Sequence, residues 1–325
     1  MAKYLVTGAA GFIASRVTEM LLEQGHSVVG VDNMNDAYDV RMKEYRLKKL
    51  VGRDGFTFRQ MDISNRQDVE DLGREAGRLE AVFNLAARAG VRSSVIDPWV
   101  YVATNTVGTL NLLELCRQHD VPKFILASTS SLYGSHNPMP FREDANTDLP
   151  LQPYAASKKG AEAMAYSYHY LHGIDVTIFR YFTVYGPAGR PDMVMFRFAQ
   201  WINEGRPVVV NGNGEQSRGF TYVDDIARGT LLGLKPVGYE VINLGGHEVI
   251  TVNQLITMLE QRLGRKALVE YGPLHPADAL GNLADVEKAR RLLGWNPQVG
   301  MEEGVTNLVN WYTAERSWAS QIETK

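Results

Sequence analysis

One cysteine in 325 residues, Cys116, rules out a disulfide within the chain. No spacing of cysteine and histidine suggests zinc, so no metal is expected. No apolar run reaches the ~18 residues that span a bilayer. The first strand-like segment, Lys3-Tyr4-Leu5-Val6-Thr7-Gly8, has no signal-peptide core ahead of it, so the expected setting is the cytoplasm with no membrane partner. A basic excess is missing too. The formal charge of -3 and the isoelectric point near 6.2 give no electrostatic reason to expect nucleic acid, and any anion site must be local. Repeats, low-complexity tracts and long linkers are also lacking.

What is present is an ordinary globular composition, 45% hydrophobic and 22% charged, and enough chain for one large α/β unit or two lobes. Tyr4-Leu5-Val6 reads as a short buried strand, followed by the loop Thr7-Gly8-Ala9-Ala10-Gly11-Phe12-Ile13-Ala14 and a helical pattern. Glycine at such a turn lets backbone approach a pyrophosphate, whose charge then sits over a helix N-terminus. Ala14 stands where a third glycine is often found. The next apolar run, Ser27-Val28-Val29-Gly30-Val31, ends in Asp32-Asn33, with Asp32 24 residues after Gly8. A carboxylate there accepts both ribose hydroxyls of an adenosine and repels a 2′-phosphate, so NAD is expected over NADP. The alternative for Asp32 is a solvated acid at a strand end.

The alternation continues. Phe56-Thr57-Phe58-Arg59-Gln60 leads into Met61-Asp62-Ile63, Ala81-Val82-Phe83-Asn84-Leu85 into Ala86-Ala87-Arg88-Ala89-Gly90, and Lys123-Phe124-Ile125-Leu126-Ala127 into Ser128-Thr129-Ser130-Ser131. Strands alternating with helical stretches predict a Rossmann-type doubly wound parallel sheet, with ligands at the carboxyl ends of its strands. Asp62 and Ile63 would flank the adenine, and Leu85, Ala86 and Ala87 would pass the nicotinamide side. Long helical segments over 99–119 and 154–172 carry apolar faces that could pair across a two-fold axis, although packing within one subunit explains them nearly as well. After Val176-Thr177-Ile178-Phe179-Arg180-Tyr181 the pattern changes to a turn-rich loop, which marks the entry to a smaller C-terminal α/β lobe. The expected division is 1–181 and 182–325, with part of 219–245 returning to the first unit. Asp224 or Asp225 is expected to cap the following helix.

In Gln152-Pro153-Tyr154-Ala155-Ala156-Ser157-Lys158 a tyrosine and a lysine four residues apart follow a proline that can open a helix. One ammonium can then serve one phenol. A free phenol titrates near pH ~10, and an adjacent cation favours the phenolate. By itself the pair reads more readily as an aromatic at a core edge beside a snorkelling lysine, and the rest of the sequence changes that balance.

Taken together, Thr7-Gly8-x-x-Gly11-Phe12-Ile13, Asp32-Asn33, Leu85-Ala86-Ala87, Ser128-Thr129-Ser130-Ser131-Leu132-Tyr133-Gly134, Tyr154-x-x-x-Lys158, Tyr185-Gly186-Pro187 and Arg218-x-Phe220-x-Tyr222-Val223-Asp224-Asp225 resemble the extended short-chain dehydrogenase/reductase family and, within it, the nucleotide-sugar epimerases. The stretch from Phe182 to Met193, with Ala89-Gly90-Val91-Arg92, is most similar to the UDP-glucuronate 4-epimerase group. That resemblance implies a homodimeric enzyme with tightly held NAD that interconverts UDP-glucuronate and UDP-galacturonate. It implies catalytic roles for Tyr154, Lys158 and Thr129, and cofactor contacts from Gly8, Gly11, Phe12, Ile13, Asp32, Asn33, Asp62, Ile63, Leu85, Ala86, Ala87 and Tyr181. It also implies substrate contacts from Arg92, Ser130, Ser131, Thr183, Gly189, Arg190, Met193, Arg218 and Asp278.

Thr129, Ser130, Ser131 and Thr183 offer hydroxyls that suit a uronate carboxylate without adding a permanent charge. Family dehydratases carry Asp-Glu near Ser130-Ser131 and the UDP-xylose-forming decarboxylase carries a glutamate there, so elimination at C5-C6 lacks its base in this chain. Asn84 and Arg88 replace the more usual His and Gln. His275 stands three residues before Asp278, near where an arginine is often found, which shifts phosphate binding towards Arg190 and Arg218, with Arg88 and Arg92 in support. The competing readings are a 4-epimerase of neutral UDP-sugars and a non-catalytic NAD-binding scaffold.

Overall fold

β-Branched and aromatic runs bounded by glycine and polar residues become the strands. In the computed structural model, which describes residues 1–246, 248–273 and 281–324, they are β1 (Lys3–Thr7), β2 (Ser27–Asp32), β3 (Phe56–Gln60), β4 (Ala81–Asn84), β5 (Lys123–Thr129), β6 (Asp175–Tyr181), β7 (Thr183–Tyr185), β8 (Pro207–Asn211), β9 (Ser217–Tyr222), β10 (Tyr239–Leu244), β11 (Glu248–Thr251) and β12 (Leu268–Gly272). A parallel sheet runs in the order β10-β6-β5-β4-β1-β2-β3. From β1 the chain winds one way through β2 and β3, then crosses to β4 and winds the other way. The strand order therefore reverses between β1 and β4, and a crevice opens there at the carboxyl ends.

Both faces of the sheet are covered. On one, Val6, Phe83, Ile125 and Phe179 pack against Val17 and Leu21 of the helix Phe12–Glu23 and against Ile226 and Trp295. On the other, Leu5, Val82, Phe124 and Ile178 meet Val69, Leu72, Leu112, Ala161 and Ala165 from three further helices. This explains why the strands are near-continuous apolar runs instead of alternating ones.

The second lobe has its own core. The sheet β11-β9-β7 and the parallel pair β12-β8 enclose Tyr185, Phe198, Trp201, Leu255, Leu259, Val305 and Leu308 with the helices Val194–Asn203, Val252–Leu263 and Met301–Ala314. Between these elements the chain returns once to the large sheet, as β10 beside β6.

Two local expectations change. The helix read over 99–119 is α-helical at Pro98–Tyr101 and Gly108–Gln118, but Val102–Val107 between them is a π-helix. Asp224 and Asp225 do not cap the helix Val223–Leu232, whose N-cap is Tyr222. Asp224 pairs with Arg16 at 2.8 Å, and the fully buried Asp225 accepts the backbone N–H groups of Gln298 and Val299 at 2.9 and 3.0 Å. Both side chains are used to join segments distant in sequence, a pull that outweighs local capping. Trp295, just beyond the left-handed Gly294, is buried as the aromatic plug of its helix end.

Candidate active site

The turn after β1 needs glycine for two separate reasons. Gly8 has φ +70°, and a Cβ there would lie 2.9 Å from the backbone N and Cα of Ala86. A Cβ on Gly11 would sit 2.8 Å from the Gly8 carbonyl, which already accepts the Gly11 N–H at 2.6 Å. Gly11 caps the helix Phe12–Glu23 with no side-chain hydrogen bond, which leaves the first helical N–H groups to a ligand. This cradle, filled by any larger residue, fits a dinucleotide's diphosphate.

At the end of β2 the buried Asp32 accepts the N–H of Ala10 at 3.2 Å and that of Met34 at 2.8 Å, and the buried Lys43 ammonium lies 3.4 Å away. Asn33 donates to Asp62 at 2.8 Å. Burial alone would raise the Asp62 carboxyl, but the hydrogen bonds from Ser64 and Asn33 together outweigh it and hold the group below its ordinary range. Hydrogen bonds thus orient both acids expected at the adenosine end.

Tyr154 and Lys158 project from the first turns of the helix Pro153–His172, which Pro153 opens. Both line the cleft. Burial holds the Tyr154 phenol above its ordinary value, an effect that a hydrogen bond with Thr129 and the charge of Arg190 offset only in part. Burial pushes the Lys158 ammonium down to about 8, opposed by the charge of Glu162. Lys158 donates to the Ala127 carbonyl at 2.8 Å. Thr129 ends β5 and caps the short turn Ser130–Tyr133, its hydroxyl accepting the Ser131 N–H at 3.1 Å. Ser130 accepts from Asn282 at 3.2 Å.

A cleft of about 1870 Å³ joins these groups, more than one ligand of drug-like size requires. Nearly all the residues proposed from the sequence line it, from Gly8, Gly11 and Asp32 through Thr129, Ser130, Ser131, Tyr154 and Lys158 to Thr183, Met193 and Arg218. Gly189 does not. It lies behind the cleft, where its carbonyl accepts from Arg46 at 3.0 Å. Asp278 and His275 lie outside the described residues. Tyr181 lines the cleft, but its hydroxyl shares a 2.7 Å hydrogen bond with Thr230. Arg190 pairs with both oxygens of Asp192, at 3.0 and 2.6 Å. Asn84 faces away: it accepts from Thr7 and donates to Thr109, each at 2.9 Å, so its difference from the usual histidine concerns packing.

Several functional residues were invisible to sequence reasoning. Asn105, in the π-helix, holds the Arg88 backbone and donates to Ser157 at 2.9 Å, bracing the loop after β4 against the Tyr154 helix. π-Helical turns concentrate at functional sites, but no residue pattern here announces one. Among the described residues, Gln216 Oε1, Asn282 Oδ1 and Arg197 Nε are buried without a hydrogen-bond partner, and all three residues line the cleft. Buried polar atoms left this way are suited to a polar ligand on the side of the second lobe.

Residues 4–245 match the NAD dependent epimerase/dehydratase family. The chain is 54% identical over 312 residues to a UDP-glucuronate 4-epimerase of Thermodesulfobacterium geofontis, covering 96% of each. Among solved structures it resembles the UDP-glucuronic acid 4-epimerase of Bacillus cereus in complex with UDP-glucuronic acid and NAD, with a TM-score of 0.89, 36% identity and coverage of 96% of this chain and 99% of that one. The UDP-glucose 4-epimerase of Thermotoga maritima with UDP-glucose gives a TM-score of 0.89 at 33% identity, covering 97% and 99%. A glycine cradle, a carboxylate at the end of β2 and Tyr154 with the buried Lys158 in one cleft accord with these matches, and the chain belongs to the NAD dependent epimerase/dehydratase family.

Proposed function

We propose that the protein is an NAD-dependent 4-epimerase that interconverts UDP-glucuronate and UDP-galacturonate through a 4-keto sugar. The observation that carries this reading is the convergence of Tyr154, Lys158 and Thr129 with the hydroxyls of Ser130, Ser131 and Thr183 in one cleft. The likeness to enzymes named for this substrate supports it.

NAD would be held by Gly8, Gly11, Phe12 and Ile13 at its diphosphate, Asp32 and Asn33 at its adenosine ribose, Asp62 and Ile63 beside adenine, and Leu85, Ala86, Ala87 and Tyr181 towards nicotinamide. When bound, it supplies a reversible acceptor for the hydrogen on C4 of the sugar. Tyr154 takes the proton of the 4-hydroxyl and later returns it, and Lys158 supplies the charge that makes its phenolate accessible. Thr129 donates to the 4-oxygen. Ser130, Ser131 and Thr183 donate to the carboxylate.

Inversion requires both faces of C4 to meet the same groups, so binding must rest on the part of the substrate that does not turn. Arg218, Arg190 and Arg92 supply cations for the diphosphate, with Met193 on the same side. Residues 1–181, joined by part of 219–245, form the cofactor unit, and 182–325 otherwise supplies the substrate lobe. The cytoplasm is the inferred location.

We also infer a homodimer. Val95, Ile96, Trp99, Tyr170 and Leu171 are exposed on neighbouring helices, with Trp99 at 81%. Light scattering should return twice the chain mass, and Trp99→Glu should return one.

Incubation of the purified protein with UDP-glucuronate, followed by chromatographic separation, should yield UDP-galacturonate. Faster turnover of UDP-glucose than of UDP-glucuronate would favour the neutral-sugar reading instead.

A further inference from the structure

Beneath the cleft lies a buried charge network that the proposed chemistry does not use. Glu162 follows Lys158 by one helical turn, as Lys158 follows Tyr154, so the three share one stripe of the helix Pro153–His172. The Glu162 carboxylate accepts the Ser128 hydroxyl at 2.6 Å and both arms of Arg180, at 3.0 and 2.8 Å. Ser128 and Arg180 are register partners on β5 and β6, so one carboxylate ties the helix to two adjacent strands. Ser128 immediately precedes Thr129, and Ala127 before it accepts the Lys158 ammonium. All four residues, Ser128, Lys158, Glu162 and Arg180, are at most 4% exposed.

We propose that Glu162 is the positioning residue of the proton-carrying pair, acting through one buried carboxylate as counter-ion to Lys158 and, by way of Ser128, as the fixed point from which Thr129 is aimed. The inference rests on the epimerase reading for the roles of Tyr154, Lys158 and Thr129. Two buried cations, Lys158 and Arg180, flank Glu162, and a neutral residue in its place leaves them facing one another uncompensated. Glu143 meets Arg180 only through its backbone carbonyl, at 3.3 Å, while its carboxyl accepts the Asn243 N–H at 2.8 Å. Tyr133, from the turn after β5, is hydrogen-bonded to Arg180, and Tyr239, from β10, is a neutral phenol raised by burial. Tyr101 and Arg190 act from the Tyr154 end, and Arg190 is positive. The charge of Glu162 opposes the effect of burial on Lys158.

The test is a pH series on three variants of the full chain, Glu162→Gln, Arg180→Met and the double variant. Epimerisation of UDP-glucuronate is followed in the loaded enzyme, and the Lys158 signal is followed by NMR in cofactor-free protein made with isotopically labelled lysine. Removing an opposite charge at this range should move the Lys158 midpoint, and with it the alkaline fall in kcat/KM, to lower pH by ~1 unit or more in Glu162→Gln. Arg180→Met should move both the other way. The double variant, which removes one charge of each sign, should return them towards the parent values. If Glu162→Gln does not fold, the comparison of Arg180→Met with the double variant carries the same signs. Unmoved Lys158 midpoints accompanied only by a lower Tm would overturn the proposal and leave Glu162 a structural residue. Should the parent protein fail to epimerise UDP-glucuronate, the epimerase reading fails, while the NMR midpoints still decide whether Glu162 is the counter-ion.

Discussion

Asn105 and the backbone of Arg88 exchange two hydrogen bonds, the Arg88 N–H donating to Asn105 Oδ1 at 2.9 Å and Asn105 Nδ2 donating back to the Arg88 carbonyl at 3.0 Å. The same amide nitrogen donates to Ser157, the residue before Lys158. One side chain therefore sets the spacing between the loop that would flank nicotinamide and the helix of Tyr154 and Lys158. Asn105→Ala should leave these groups unpaired in a buried place, at a cost of about 1–3 kcal/mol. The expected outcome is a lower Tm together with weaker NAD binding, measured by calorimetry. Unchanged affinity would show that the brace matters to folding alone.

Tyr154→Phe should retain NAD and lose turnover, because the ring still fills its place while the proton carrier is gone. Bound cofactor is checked by absorbance after denaturation, and turnover by product separation. Appreciable epimerisation by this variant would reject the phenolate role.

Lys158 links activity to pH and to stability. Its ammonium is pushed from 10.5 down to about 8, so between those values the unfolded chain holds the proton more tightly. Stability from this group therefore rises as pH climbs through that window, and the full cost of burying the charge is felt below about 8. Lys158→Met should stabilise the cofactor-free protein at neutral pH by roughly 1–3 kcal/mol while abolishing turnover. A fall in Tm measured by differential scanning calorimetry would contradict this.

Thr183→Val removes a hydroxyl but keeps the shape of the side chain. It should weaken UDP-glucuronate about tenfold or more while affecting UDP-glucose little, since only the acid sugar presents a carboxylate. Equal losses in kcat/KM on both substrates would remove the case for carboxylate recognition at Thr183.

Asp32→Ala should narrow the preference for NAD over NADP. The carboxylate repels a 2′-phosphate, and once it is gone the Lys43 ammonium, 3.4 Å away in the parent protein, is left facing that position. Titration with both dinucleotides reads this directly, and an unaltered ratio would place the discrimination elsewhere.

Much of this was legible in the chain because it is local. Gly8, Gly11 and Asp32 announce themselves by spacing along one strand-loop-helix-strand unit, and Tyr154 and Lys158 by the helical repeat. The groups that complete the site are not local. Glu162 meets Arg180 and Ser128 only because β5 and β6 pair in one register. Gln216 and Asn282 reach the cleft from distant segments. Asp224 and Asp225 are the second and third residues of their helix, where capping is the natural sequence reading. Both are claimed instead by Arg16 and by the backbone near Gln298, partners about 200 and 70 residues away that no local pattern could foretell.

The late arrival of β10 bears on how this molecule can be divided. A fragment stopping at Tyr181 would contain six of the seven strands yet leave β6 with a bare row of backbone donors and acceptors along its outer side. Such an edge invites pairing with another copy. Anyone dissecting or recombining the two halves therefore has to splice residues 239–244 back alongside β6, because a single cut yields a sticky remnant in place of a module.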